Sequence, residues 1–221
     1  MTTSAERSLG DWVTAHPGAA RVFQKHRLDY CCGGKQSLAE ACATEHQDVQ
    51  QVVREIEATE RADETAVRWD QRPLDELVRH ILDRYHAPLR AELPRLIELA
   101  GQVERAHREK PDRPAGLAEL LADVKAAVES HLAKEEQILF PLILAGRGRV
   151  AHMPIQVMIQ EHEDHGRSLR RIRGLTRELS APEHACASWR ELYRALGELE
   201  RELMDHIHLE NNVLFPRALA G

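Results

Sequence analysis

The chain has 221 residues, 43% hydrophobic and 30% charged, with a net charge of −6. That length allows one sizeable core plus a smaller module, and a composition rich in Ala, Leu, Glu and Arg favours helix. Acidic and basic residues are interspersed, so no basic stripe points to nucleic acid and no polybasic helix to a membrane surface.

In chain order, the first sixty or so residues read as short helices: Asp11 to Ala15, Pro17 to His26, Ser37 to Ala43 and Asp48 to Thr59. Ser37-Leu-Ala-Glu40 is a capping box, and Pro17 suits a first helical turn. MTTSAERSLGDW lacks the basic-then-apolar pattern of a secretory signal, and no apolar run approaches the ~18 residues that span a bilayer. The polar segment Glu60 to Arg72, closed by Pro73, reads as a linker. The expected organisation is therefore an N-terminal helical domain over 1–60, a linker over 61–73 and a larger domain over 74–221.

Four long helical patterns follow. They run from Leu74 to Ala106, Leu117 to Ala145, Pro154 to Leu179 and Pro182 to Leu219. Apolar residues recur in steps of three and four, as in Val78, Leu82, Leu89, Leu93, Leu96 and in Leu117, Leu120, Val124, Val128, Ile138, Leu142. With turn-rich connections, they predict an all-α fold, an up-down-up-down four-helix bundle beside the small N-terminal helical domain. Pro88 and Pro94 fall inside the first long helix, where each costs ~3 kcal/mol unless the helix bends. A bend there would aim His86, or it would be neutral.

Each apolar row is interrupted, and each interruption carries a histidine. Leu82 and Leu89 bracket His86, and Val128 and Ile138 bracket His131 and Glu135. Met158 and Leu169 bracket His162, and Leu203 and Val213 bracket His206 and Glu210. HLAKEEQILFP and HIHLENNVLFP share the form H-x3-E-x2-(I/V)-L-F-P, so the bundle reads as a duplicated two-helix unit. Residues four apart share a helix face, so each His-x3-Glu aims an imidazole and a carboxylate at one point. An uncompensated buried carboxylate costs several kcal/mol, and no Lys or Arg lies in these rows. A dinuclear metal centre supplies the missing charge, with Glu135 and Glu210 as bridges and the four histidines as caps. The donor set lacks Cys and suits non-haem iron, with Mn or Zn as substitutes.

The remaining histidines divide by position. His208 is expected on the solvent side of its helix, and His80 lies off the row of His86. His165 shares the row of His162, but the repeat does not require it as a ligand. Cys31 and Cys32 are adjacent, too close for an unstrained disulfide. Nearby Lys35 and the helix starting at Ser37 would lower a thiol pKa and favour a reactive thiolate. A tight inter-helix turn containing two small apolar residues is the alternative. Cys42 and Cys186 are expected to be buried structural thiols, and the cysteine set as a whole fits a reducing cytoplasm.

These residues carry a family resemblance. The segments RYH86, SH131LAKE135EQILFP, EH162 and DH206IHLE210NNVLFP resemble the haemerythrin-like (HHE) cation-binding domain. Together with Asp29-Tyr-Cys-Cys-Gly-Gly34, the whole chain resembles the RIC proteins (repair of iron centres, the YtfE/ScdA type). The resemblance implies a cytoplasmic protein with two iron ions, oxo- or hydroxo-bridged, that restores iron–sulfur clusters damaged by nitric oxide or oxidants. It carries His86, His131, His162 and His206 over as terminal ligands, Glu135 and Glu210 as bridges, and a thiol role for Cys31 and Cys32. Damaged iron–sulfur proteins are the implied clients, and nitric oxide or oxygen the implied small molecules. Neither nucleic acid nor membrane is an expected partner, and a homodimer is compatible with the sequence. A repair or iron-donor protein is expected rather than an enzyme. The alternatives are an oxygen or nitric-oxide binding or sensing module and a nitric oxide reductase-type redox enzyme.

Overall fold

The computed structural model describes residues 4–60 and 67–221, and every regular element among them is helical. One isolated antiparallel bridge, between Ser8 and Ser37, is the β feature recorded among them. The expected linker falls partly outside the described residues, at 61–66. The chain divides into two compact units, Met1–Arg79 with Ile143–His152 and Met204–Gly221, and His80–Leu142 with Met153–Leu203.

In the first unit, α1 (Leu9–Ala15), α2 (Ala19–Lys25), α3 (Leu38–Thr44) and α4 (Val49–Glu60) follow the expected order. Their boundaries come from polar caps. The Ser8 hydroxyl accepts from the Asp11 amide at 3.1 Å, and Ser37 and Glu40 close a full capping box; each such cap is worth about 1 kcal/mol. The two capped ends are tied together, Leu9 N–H donating to Gln36 at 2.9 Å and Leu38 N–H to Arg7 at 3.0 Å. Trp12, Phe23, Leu28, Tyr30, Leu38, Val52 and Ile56 form the core beneath them, with Met204 packed against it. The same unit holds the end of the chain, where Arg217 donates to the carbonyls of Trp69 at 2.9 Å and Arg72 at 2.7 Å.

Beyond these, α5 (Leu74–Ile81), α6 (Ala87–Ala106), α7 (Leu117–Lys134), α8 (Phe140–Leu144), α9 (His152–Leu175), α10 (Ala187–His208) and α11 (Phe215–Ala220) follow in chain order, and α6, α7, most of α9 and most of α10 make up the second unit. The apolar rows are buried as their period requires: Leu89, Leu93 and Leu96, Leu120, Val124 and Val128, Met158 and Ile172, Leu192, Leu196 and Leu199. Gly116, in the left-handed region at φ 84°, makes the turn that starts α7, where a side chain would be strained.

The long helices are not regular. π turns occupy Leu82–His86, Glu135–Leu139 and Leu209–Leu214. Each is followed two residues later by a proline: Pro88, Pro141 and Pro216. A proline donates no N–H and its ring collides with the carbonyl four residues back. Those carbonyls belong to Arg84, Gln137 and Asn212, all inside the π turns, so the widened turn relieves the clash. Pro94 sits in α6 with no such turn, so proline alone does not dictate one. The extra residue shifts the helix phase. Ile138, expected in the core, is therefore 54% exposed, while Leu139, Phe140 and Ile143 are buried.

Close backbone approach in the first unit depends on glycine. A Cβ at Gly34 would stand 2.7 Å from both the Asn212 Oδ1 and the Tyr30 carbonyl oxygen. Gly34→Ala is expected to destabilise the chain by about 1–3 kcal/mol. Gly174, with nothing within 4 Å, should gain stability when changed to Ala, by up to ~1 kcal/mol. Urea unfolding of the two variants measures the contrast.

Candidate metal centre

Each long helix delivers one residue class to the interior. His86 closes the first π turn, His131 lies in the last turn of α7, Glu135 opens the second π turn, and His162 sits in α9. All four are at most 2% exposed. In the second unit, Glu135 Oε2 lies 3.5 Å from His86 Nε2 and 3.4 Å from His131 Nε2. His162 Nε2 is 3.1 Å from His131 Nε2. The ligand atoms of His131, Glu135 and His162 all fall within 4.8 Å of one another. In the first unit, His206 Nε2 is 2.9 Å from Glu210 Oε1, and both residues are buried. The His-x3-Glu spacing thus brings imidazole and carboxylate together in both repeats.

The proton positions follow from the outer partners. His86 Nδ1 lies 2.8 Å from Glu136 Oε1, and His131 Nδ1 lies 2.9 Å from Glu161 Oε2. A carboxylate only accepts, so each Nδ1 carries the proton and donates it. In the neutral ring the inner Nε2 is then an acceptor, and it faces Glu135, another acceptor. Neither oxygen of Glu135 accepts a hydrogen bond among the described residues. Such a cluster demands positive charge between its members. Two ligand atoms ~2.1 Å from one ion, at 90–110°, stand about 3.0–3.4 Å apart, close to the separations here. The residues fit a cation-binding role, and N and carboxylate O donors without thiolate suit iron.

The outer carboxylates are themselves held. Arg90 donates to both oxygens of Glu136, at 2.7 and 3.1 Å, and Lys134 pairs with Glu161. Burial pushes the Glu136 carboxyl upward, but the hydrogen bonds from Arg90 and His86 outweigh it and hold it below the usual range. Lys134 and His131 do the same for Glu161. These chains of cation, carboxylate and imidazole fix ring tautomer and orientation. Sequence reasoning missed them, although each carboxylate directly neighbours a ligand candidate, Glu136 after Glu135 and Glu161 before His162.

Other expectations resolve as follows. His165 is buried edge-on to the His131 ring, centroids 5.0 Å apart, and so packs against a ligand candidate. His208 is not solvent-facing: it is 3% exposed, 5.7 Å from the Tyr30 ring, and burial pulls its pKa down to about 4. The N-terminal module covers the helix face that faced solvent in the four-helix picture. Cys42 is buried as expected, but Cys186 is exposed, with its Sγ 3.2 Å from His107 Nε2.

Cys31 and Cys32 lie in a loop of the first unit, Sγ atoms 3.7 Å apart, and neither forms a disulfide. The expected lowering of the thiol pKa is overturned for Cys31. Its hydrogen bond to Cys32, burial and the nearby Asp29 carboxylate push it well above the ordinary range. The helix that starts at Ser37 is short, and its capping box already satisfies its first turn. Tyr30 Oη donates to Asp205 at 2.5 Å, and Asn211 and Asn212 donate to the carbonyls of Cys31 and Tyr30.

Comparison with known proteins gives this arrangement its class. Residues 77–218 match the Hemerythrin HHE cation binding domain, and residues 5–60 match ScdA_N, described as a domain of unknown function (DUF542). Fold and donor set together define a haemerythrin-like HHE bundle joined to an ScdA_N domain. The chain is 46% identical over 217 residues to the "Iron-sulfur cluster repair protein YtfE" of Escherichia coli O157:H7, covering 98% of each. Proteins with the same description from Yersinia pseudotuberculosis and Citrobacter koseri are 44% and 45% identical, over 97% and 98% of both chains. The chain belongs to the YtfE family that these proteins represent.

The outer carboxylates make a measurable contribution. Glu136→Ala removes the acceptor from His86 Nδ1 and is expected to weaken metal retention by roughly 10- to 100-fold. Chelator competition against the unaltered protein measures the change, and the helical circular dichroism should stay intact.

Proposed function

We propose that this protein repairs iron–sulfur clusters damaged by nitrosative or oxidative stress. In this reading His86, His131, His162 and His206 are terminal ligands, and Glu135 and Glu210 bridges, for two iron ions. The observation that carries it is Glu135: a wholly buried carboxylate faced by imidazole nitrogens that their outer partners turn into acceptors. Near-full-length similarity to proteins named for cluster repair supports the activity.

The roles of the side chains follow from their surroundings. Glu136 and Glu161 keep the Nδ1 protons of His86 and His131, so both Nε2 lone pairs stay directed inward. Phe140, stacked on the His86 ring at 5.6 Å, and buried Leu139 keep water from that side. Iron held by these residues would supply redox chemistry toward nitric oxide, or iron for a damaged cluster. Glu135 and Glu210, both wholly buried, would hold the ions from within the interior. We also place the protein in the cytoplasm, where four thiols outside any disulfide are stable. No helix among the described residues is long and apolar enough to cross a membrane. Its clients are then iron–sulfur proteins.

The test joins metal analysis to repair. The purified protein should hold roughly two irons per chain and restore activity to a nitric-oxide-damaged iron–sulfur enzyme. Glu135→Ala should hold half as much iron or less and restore nothing. A wild-type protein with its full iron that binds nitric oxide yet restores no enzyme would establish the gas-binding alternative instead.

A further inference from the structure

Beyond the six proposed ligand positions, one other cluster among the described residues could hold a metal ion. Asp29, Cys31 and Cys32 bring a carboxylate oxygen and two sulfurs within 4.8 Å of one another. We propose that these three residues form a second, mononuclear cation site for a thiophilic divalent ion, and that iron(II) in transit between the bundle and a client protein docks there. The transit role rests on the function proposed above; the site does not.

The geometry is that of a chelate already assembled. Two thiolates on one tetrahedral ion, with metal–sulfur bonds of ~2.3 Å, stand about 3.8 Å apart. The Cys31 and Cys32 sulfurs are 3.7 Å apart, and Asp29 Oδ1 is 3.2 Å from the Cys31 sulfur. At that distance the two thiols are not joined by a disulfide. The donors are held by the loop itself. Asp29 Oδ1 accepts from the amides of Cys31 at 3.2 Å and Cys32 at 3.0 Å. A Cβ at Gly33 would stand 2.7 Å from the Asp29 carbonyl oxygen, so the turn closes this tightly only with glycine there. Little reorganisation remains for an ion to impose.

The chemistry favours exchange over permanent structure. Three protein donors leave an open position, unlike the closed four-ligand sites that hold structural zinc. Cys31 is buried, whereas Cys32 is partly exposed and so open to exchange with solvent. On binding, each thiol gives its proton to solvent as two metal–sulfur bonds and one metal–oxygen bond replace bonds to water. No electron moves. The loop is tied to the bundle's last ligand-bearing turn, since Asn211, next to Glu210, donates to the Cys31 carbonyl at 3.2 Å.

Cobalt(II) is the probe, added anaerobically to the reduced, iron-loaded full chain. A Cys186→Ser background removes the exposed thiol beside His107, which could report on its own. We expect a thiolate-to-cobalt charge-transfer band that saturates near about one equivalent. Cys31→Ser, Cys32→Ser and Asp29→Ala should each weaken that binding at least ~10-fold, with the bundle's iron content unchanged. Cobalt should also slow alkylation of Cys32 by iodoacetamide in the chain with both thiols intact, a readout that needs no variant at the site. A band that survives in Cys31→Ser and Cys32→Ser, or an alkylation rate indifferent to cobalt, overturns the site. Delivery of iron to a damaged cluster enzyme should slow at least ~10-fold in the two serine variants. An unchanged delivery rate overturns the transit role. Glu135→Ala separates the two proposals: it should lose bundle iron and keep the cobalt band.

Discussion

Glu135 sits where no water reaches it, and the nearest imidazole nitrogens present lone pairs rather than protons. An ionised carboxylate in that position costs several kcal/mol even after the surroundings relax. Positive charge among these atoms would offset that cost, and among the described residues no lysine or arginine is recorded against Glu135. Arg90 and Lys134 are close, yet they are spent on Glu136 and Glu161. Those outer pairs do not neutralise the interior; they fix the imidazole tautomers that make it electron-rich. The protein thus uses its own cations to sharpen the demand for a foreign one.

The π turns serve the same end. Each contains or adjoins a residue of the donor set: His86 ends the first, Glu135 opens the second and Glu210 lies in the third. A regular helix would carry the core row through these positions and then continue in phase. The added residue re-aims the helix just after the ligand candidate, which lets Leu139 and Phe140, and Leu214 and Phe215, pack where an unbroken helix would present other side chains. The prolines that follow make the wider turn less costly, because they offer no N–H to a regular ladder.

Much of this was legible in the sequence. The apolar rows fix four long helices, and a row whose gaps hold His and Glu is a chemical statement as well as a structural one. The duplicated His-x3-Glu spacing predicts the contacts found within each unit. The sequence did not reveal what depends on phase and tertiary cover. Ile138 was placed in the core because a π turn leaves no signal in apolar periodicity. His208 was placed in solvent because the N-terminal module, not the bundle, buries it. Glu136 and Glu161 look like ordinary surface acids until the rings of His86 and His131 turn toward them. Cys31 looked activated by a helix N-terminus, but burial and a neighbouring thiol decide its proton affinity.

In the first unit the thiol loop and the helix of His206 and Glu210 are joined by hydrogen bonds. Tyr30 bonds Asp205, which precedes His206, and Asn211 and Asn212 hold the loop carbonyls just after Glu210. Gly10 and Gly34 both give close approach to Asn212, with no room for a side chain at either. The hydrogen bonds that set the Cys31–Cys32 loop therefore come from the π turn that carries Glu210, just after the helix that carries His206. The side chains of Asn211 and Asn212 thus belong to the π turn and hold the loop at the same time.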